Sequence, residues 1–183
     1  MAGDRALLIS LYGLDAKPFD SHPAKYGEED PNWSSCYLRE WLKGPFFNAA
    51  FSGDEQAMIL YTAVPAALGG HWYGDLSGYT WGEPVPEGAT ADRLFLLSAG
   101  EASRYFPRDE DRICRGTAYC FDNGAAGNTD GICWWWLRDS TAFNHAARVT
   151  EEGWINGYGN GYGAVINSTK GAVRPAMWVV FEP

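Results

Sequence analysis

The side chains whose types and spacing best suit chemistry at a surface are Trp154, Asn156, Tyr158, Asn160 and Tyr162, which alternate with Ile155, Gly157, Gly159, Gly161 and Gly163. On an extended backbone a period of two sends the five large side chains to one face. The opposite face is then nearly bare and can lie close on a scaffold. The chemistry this suits is recognition, because Tyr and Trp offer rigid amphipathic contact area and Asn offers adaptable hydrogen bonds. Ser140, Thr141, Phe143, Asn144 and His145 upstream and Asn167 downstream share that composition. Together these residues are the expected ligand-binding set. The competing reading is a turn-rich loop whose rings tuck into its own glycines.

Covalent and metal chemistry has thinner support. His22, His71 and His145 have no His, Cys or carboxylate neighbour at ligand spacing, so no metal site is expected. No nucleophile with an adjacent base can be assembled locally. Cys36, Cys114, Cys120 and Cys133 form no paired CxxC, and the expectation is buried free thiols. A disulfide between Cys114 and Cys120, or one using Cys133, also fits the spacing. The chain therefore reads as a non-enzyme without a cofactor.

Composition narrows the partners. With 183 residues, 22 Gly, nine Trp and ten Tyr, the chain suits one aromatic-rich domain, residues 1–183, with many turns. A formal charge of -9 argues against nucleic acid, which needs clustered Lys and Arg. No apolar run approaches the roughly 20 residues of a membrane span, and the N-terminus has no basic start and apolar signal core. A soluble domain without membrane insertion is expected, with surface display left to other segments. Strand character beginning almost at once, at Ala6, suggests excision from a longer protein.

Two apolar blocks frame the candidate face, residues 133–138 (Cys-Trp-Trp-Trp-Leu-Arg) and 171–178 (Gly-Ala-Val-Arg-Pro-Ala-Met-Trp). Consecutive tryptophans on a strand point alternately, so at least one side of Trp134, Trp135 and Trp136 should be core. Arg138 and Arg174 are expected to pin loop backbone or to form surface ion pairs. Upstream, Tyr37, Leu38, Trp41 and Leu42 share a helical face with Ser34 or Ser35 as N-cap, and Gly44-Pro45 should stop that helix. Ser52 with Glu55 and Ser98 with Glu101 have the spacing of capping boxes. Strands are expected over residues 6–10, 59–64, 93–98 and 117–120, and the Gly- and Pro-rich stretch 65–92 reads as a long connection. Short helices and strands mix without regular alternation, which is an α+β layout.

The ordered set of Ala6 to Ser10, Trp33-Ser34, Leu38-Arg39-Glu40-Trp41-Leu42, Phe47-Asn48, Phe51-Ser52, Phe95-Leu96-Leu97-Ser98, Trp135-Trp136-Leu137-Arg138 and Val173-Arg174-Pro175-Ala176 resembles a family of uncharacterised bacterial domains. That family is similar to a variant of the C-type lectin fold, related to the formylglycine-generating-enzyme branch and to the variable proteins of diversity-generating retroelements. The resemblance implies paired terminal strands, 6–10 against 177–181, beneath a small antiparallel sheet. It also implies a diversified, ligand-binding segment between the two blocks, residues 139–170, and a bacterial or phage recognition domain for a protein or glycan. Asp139-Ser140-Thr141 replaces the Ser-Pro-Gly of many relatives, which hints at variation. The alternatives are a formylglycine-generating-type enzyme, whose cysteine pair has no alignable counterpart here, and a structural module of a surface or phage protein. The calcium-dependent sugar motifs of C-type lectins are not matched by Glu83-Pro84-Val85 or Trp136-Leu137-Arg138-Asp139.

Overall fold

A computed structural model describes residues 4–25, 32–65, 88–141, 144–157 and 163–181. In chain order these form strands β1 (Asp4–Ile9), β2 (Tyr12–Gly13) and β3 (Asp15–Ala16), then helix α1 (Tyr37–Trp41), a π-helical turn (Leu42–Phe46), and helices α2 (Phe47–Ala50) and α3 (Gly53–Met58). Strands β4 (Thr62–Pro65) and β5 (Ala89–Asp92) follow, then α4 (Ala99–Tyr105), α5 (Asp109–Arg112), β6 (Cys114–Gly116) and α6 (Ala118–Asp122). The last third holds β7 (Ile132–Cys133), β8 (Trp135–Thr141), β9 (His145–Val149), β10 (Ile155–Asn156), β11 (Ala164–Val165), β12 (Ala172–Val173) and β13 (Ala176–Phe181).

This is a mixed α+β architecture of short helices and small sheets, with no closed barrel among the described residues. β1 and β13 pair antiparallel from Asp4 opposite Phe181 to Ile9 opposite Ala176, joining the two ends of the described chain. The largest sheet runs β10-β9-β8-β12-β3, and β11 also pairs with β9. β2, β6 and β7 form a third sheet, and β4 pairs with β5.

Both faces of the tryptophan block are covered. Trp134, Trp135 and Trp136 are all buried, with Trp134 and Trp136 edge-to-face at a ring separation of 4.8 Å. Their indole N–H groups would be costly to bury unpaired. Trp135 Nε1 donates to the Arg112 carbonyl at 3.0 Å and Trp136 Nε1 to that of Lys17 at 2.9 Å. The core continues through Phe19, Trp33, Leu38, Leu42, Phe95 and Leu137.

Four local expectations are corrected. The helix at Tyr37 is not capped by Ser34 or Ser35; Cys36 holds the N-cap position, and the Asp20 carboxylate accepts from Tyr37 N at 2.9 Å. Gly44-Pro45 does not stop the helix, because the chain widens into a π-helical turn through Pro45 and continues into α2. A wider turn accommodates a ring that would otherwise meet the carbonyl four residues back. Residues 93–98 make one isolated bridge, Phe95 to Ala176, rather than a strand, and their burial explains the apolar run. Residues 117–120 are helical, since the Thr117 hydroxyl accepts from Cys120 N and caps α6. Both expected capping boxes form, Ser52 with Glu55 and Ser98 with Glu101. Part of the long connection is ordered as β5, residues 66–87 lie outside the described residues, and the 59–64 expectation becomes an Ile59 bridge followed by β4.

Candidate recognition face

β9 is the strand on which the candidate residues are assembled. On one side it pairs with β8, Thr141 opposite His145 and Trp135 opposite Val149. Its other edge is shared by β10, Ile155 opposite Val149, and β11, Val165 opposite His145. The chain between those short strands therefore leaves and rejoins one edge of the sheet.

Glycine makes that departure possible. Gly157 and Gly163 have φ of +112° and +76°, a left-handed range that side chains rarely adopt. A Cβ on Gly163 would stand 2.1 Å from the Ala146 carbonyl oxygen, and one on Gly157 would stand 2.8 Å from Ala147 Cα. Asn156 closes the stem by accepting from Gly163 N at 3.1 Å. The bare glycine side thus lies close on the scaffold at both ends of this segment. At Gly157 and Gly163 the backbone leaves the extended region, and Asn156 spends its side-chain carbonyl oxygen on the stem. Tyr158, Asn160, Tyr162 and Phe143 lie outside the described residues.

The turn leading into β10 presents Trp154. Thr150 Oγ1 accepts from Trp154 N at 3.3 Å, Thr150 N donates to the Trp154 carbonyl at 2.9 Å, and Arg112 Nε donates to the Gly153 carbonyl at 2.7 Å. On this anchored turn the Trp154 side chain is 59% exposed. A fixed backbone carrying an exposed indole is a preorganised contact point.

The remaining expected residues divide between scaffold and surface. Ser140 is buried opposite Ala146. Asn144 is positioned by its backbone: at φ +58° it is a non-glycine residue in the left-handed region, which Asn tolerates best. Its side chain accepts from Ala24 N at 2.6 Å and donates to the Ala24 carbonyl at 3.0 Å, tying the β8–β9 connection to the N-terminal segment. Thr141 and His145 are half-buried, and Asn167 is exposed beyond the buried Ile166. His22 is exposed and meets Ser21 Oγ through Nδ1 at 2.9 Å, and His71 lies outside the described residues.

Within residues 139–141, Asp139 and Ser140 are buried scaffold, whereas Thr141 is half-buried. Two extra β8 residues between the Trp136 and Ser140 pairings form a bulge there. Arg138 and Asp139 are both buried at that bulge. Asp139 Oδ2 accepts from Ala99 N at 2.5 Å, at the start of α4. Burial raises the Asp139 carboxyl above its usual range, against the opposing charge of Arg138. Arg138 donates to the carbonyls of Pro65 (3.1 Å) and Leu96 (2.9 Å) and pairs with Glu101. Burial works against the Arg138 charge, and the carboxylates of Glu101, Asp139 and Asp92 together offset it, holding the guanidinium above its usual value. Arg174 likewise pins backbone, donating through Nε to the Ser10 carbonyl at 2.8 Å.

All four cysteines are free and buried. Among the described residues no group of three or more His, Cys, Asp or Glu side chains is arranged to hold a metal ion, and no helix is long and apolar enough to cross a membrane. Sequence reasoning left pairing among Cys114, Cys120 and Cys133 open and missed that Arg174 lies beside Cys114 and Cys133. The strands that bring them together, β6 and β7, are too short to leave a periodic signal.

The model of a domain of unknown function, DUF6273, matches residues 3–180. No curated protein and no solved structure matches the chain. Since the family match runs from ahead of β1 into β13, it takes in every element described above, and the chain belongs to the DUF6273 family.

Proposed function

We propose that this chain is a non-catalytic recognition domain with a C-type-lectin-like fold, akin to the variable proteins of diversity-generating retroelements. It binds a protein or glycan through the face carried by the β9 edge, with Thr141, His145, Trp154 and Asn167 on the scaffold side and the 158–162 segment between β10 and β11. The observation that carries this reading is Trp154, an indole 59% exposed on a turn held by Thr150 and Arg112. Large exposed aromatics on fixed backbone are characteristic of contact surfaces. The paired terminal strands support the fold assignment, and the stem of clamped glycines supports a segment whose side chains vary while its ends stay fixed.

The test is a parallel screen of the wild-type chain and Trp154→Ala on a glycan array and a protein-display library. Ligands retained by the wild type and lost by the variant, at equal melting temperature, are the expected result. Ligands bound equally by both would move the site elsewhere. Retroelement kinship has its own check: a reverse-transcriptase gene beside a near-copy of the segment encoding residues 139–170, differing at adenines, is expected in the source genome.

A further inference from the structure

Three cysteines, Cys114, Cys120 and Cys133, meet on the side of the fold built by β2, β6 and β7. Cys114 and Cys133 are direct partners across the antiparallel β6–β7 pair. That pairing sets Cα atoms about 4.5–5.5 Å apart, inside the span a disulfide requires. Cys133 is the central member: its thiol donates to the Cys114 carbonyl at 3.7 Å, and its sulfur lies beside that of Cys120 under Gly13. Gly13 leaves room for the group: a Cβ there would lie 3.1 Å from Cys133 Sγ and 3.7 Å from Cys120 Sγ.

A charge that pairs with no carboxylate among the described residues lies beside them. Arg174 is 4% exposed, its guanidinium carbon is 4.9 Å from the Trp135 ring centroid and 5.2 Å from that of Phe106, and Nε is used on Ser10. Its buried Nη1 has no hydrogen-bond partner among the described residues. Burying an unpaired guanidinium N–H is costly, and such positions commonly await an anion. The thiols Cys114 and Cys133 are the groups within electrostatic reach that can become negative there.

We propose that Cys114, Cys133 and Arg174 form an oxidation site for a small hydroperoxide, with Cys114 as the attacking thiolate and Cys133 as the resolving thiol. The Cys114 sulfur attacks the hydroperoxide, an S–O bond forms as the O–O bond breaks, and the hydroperoxide is reduced to the alcohol, or to water if it is hydrogen peroxide. The resulting sulfenic acid is then attacked by the Cys133 sulfur. An S–S bond forms, the S–O bond breaks, and the departing hydroxide leaves as water with the Cys133 proton.

The surroundings assign these roles. Cys133 and Arg174 together draw the Cys114 thiol below its ordinary value, with the Cys133 hydrogen bond the larger influence, whereas Cys133 itself is held protonated. Cys114 is itself only 1% exposed: its sulfur lies 3.9 Å from the carbonyl oxygen of Leu11, so a hydroperoxide reaches it only when the Ser10–Leu11 connection, exposed at Leu11, parts. Cys36 is the internal contrast, because burial pushes its thiol up to about 12. Only a thiolate is an effective nucleophile, so Cys36 should be inert.

The test treats the whole reduced chain with hydrogen peroxide and follows intact mass and non-reduced peptide maps. The expected result is loss of two hydrogens, a linked peptide joining Cys114 to Cys133, and unmodified Cys36. In Cys133→Ser, dimedone should trap a sulfenic acid at Cys114. Arg174→Met should slow the reaction several-fold, because loss of the cation raises the Cys114 thiol and lowers its thiolate fraction, and Arg174→Lys should recover part of it. If Arg174→Met does not fold, the wild-type rate against pH decides: half-maximal rate below the ordinary Cys range supports the site. Cys36 reacting as fast as Cys114, a linked pair that omits Cys114, or thiols still reduced while methionines oxidise would overturn it.

Discussion

Arg138 and Glu101 face one another as a buried ion pair, with Nη2 donating to Oε1 at 2.9 Å, and each has a second duty. Arg138 also holds the Pro65 and Leu96 carbonyls, while Glu101 accepts from Ser98 N at 2.9 Å in the α4 capping box. The pair thus joins β8, the frame of the candidate face, to the start of α4. Removing either partner leaves a charge in a site with little water. Arg138→Met should lower unfolding free energy by about 3–5 kcal/mol, read from the denaturant midpoint at unchanged slope. A loss under about 1 kcal/mol, the range of an exposed pair, would contradict this account.

Asp139 predicts a pH dependence of opposite sign to the usual carboxylate. Burial raises its folded-state pKa above the unfolded value, so the folded chain binds the proton more tightly. The associated stability is present below the unfolded pKa, about 4, and is lost as pH rises through the folded pKa. Asp139→Asn keeps an oxygen for Ala99 N and cannot ionise. Its stability should fall less than that of the wild type over this window in thermal melts at a series of pH values, and parallel curves would refute the assignment.

Gly163 and Gly157 should resist substitution through backbone strain and contact together. Gly163→Ala forces a methyl to within 2.1 Å of the Ala146 carbonyl at φ +76° and should cost more than Gly157→Ala, whose nearest contact is 2.8 Å. Costs of about 1–3 kcal/mol are expected, since strain and overpacking both act. Circular dichroism melts would measure them. Gly53→Ala, with no heavy atom within 4 Å of the new Cβ, serves as the tolerant control.

Asn144 separates backbone strain from hydrogen bonding. Asn144→Gly keeps the φ of +58° available but loses both bonds to Ala24, whereas Asn144→Ala loses both and strains the backbone. Asn144→Ala should therefore be the less stable by about 1 kcal/mol, measured in one denaturant series. Equal stabilities would mean that the turn relaxes when the side chain is shortened.

Local signals in the sequence were legible where a few neighbouring residues decide the outcome. Ser52 with Glu55 and Ser98 with Glu101 cap their helices as their spacing requires, because each box satisfies amides within one turn. Residue type was enough to expect one side of Trp134 to Trp136 in the core, where all three are buried, and it left backbone pinning by Arg138 and Arg174 as one of two alternatives, which their hydrogen bonds to carbonyls decide. The strand expected at residues 93–98 failed for the opposite reason. An apolar run reports burial, and whether it gains ladder partners depends on distant chain, here Ala176.

By itself the sequence determined the α+β mixture, the starts of α3 and α4, the aromatic core and the interval 139–170 as a compositional break, since these arise from propensity, capping and hydrophobic burial over short distances. Tertiary structure alone decided which side chains in that interval are scaffold. Asp139, Ser140 and Asn144 are polar residues that look like surface in one dimension, yet the β8 bulge and the Ala24 contact turn them to structural use. It also brought Cys114, Cys120 and Cys133 beside Arg174. Their meeting depends on pairings across β2, β6, β7 and the 171–174 segment, and long-range register is not encoded in local spacing.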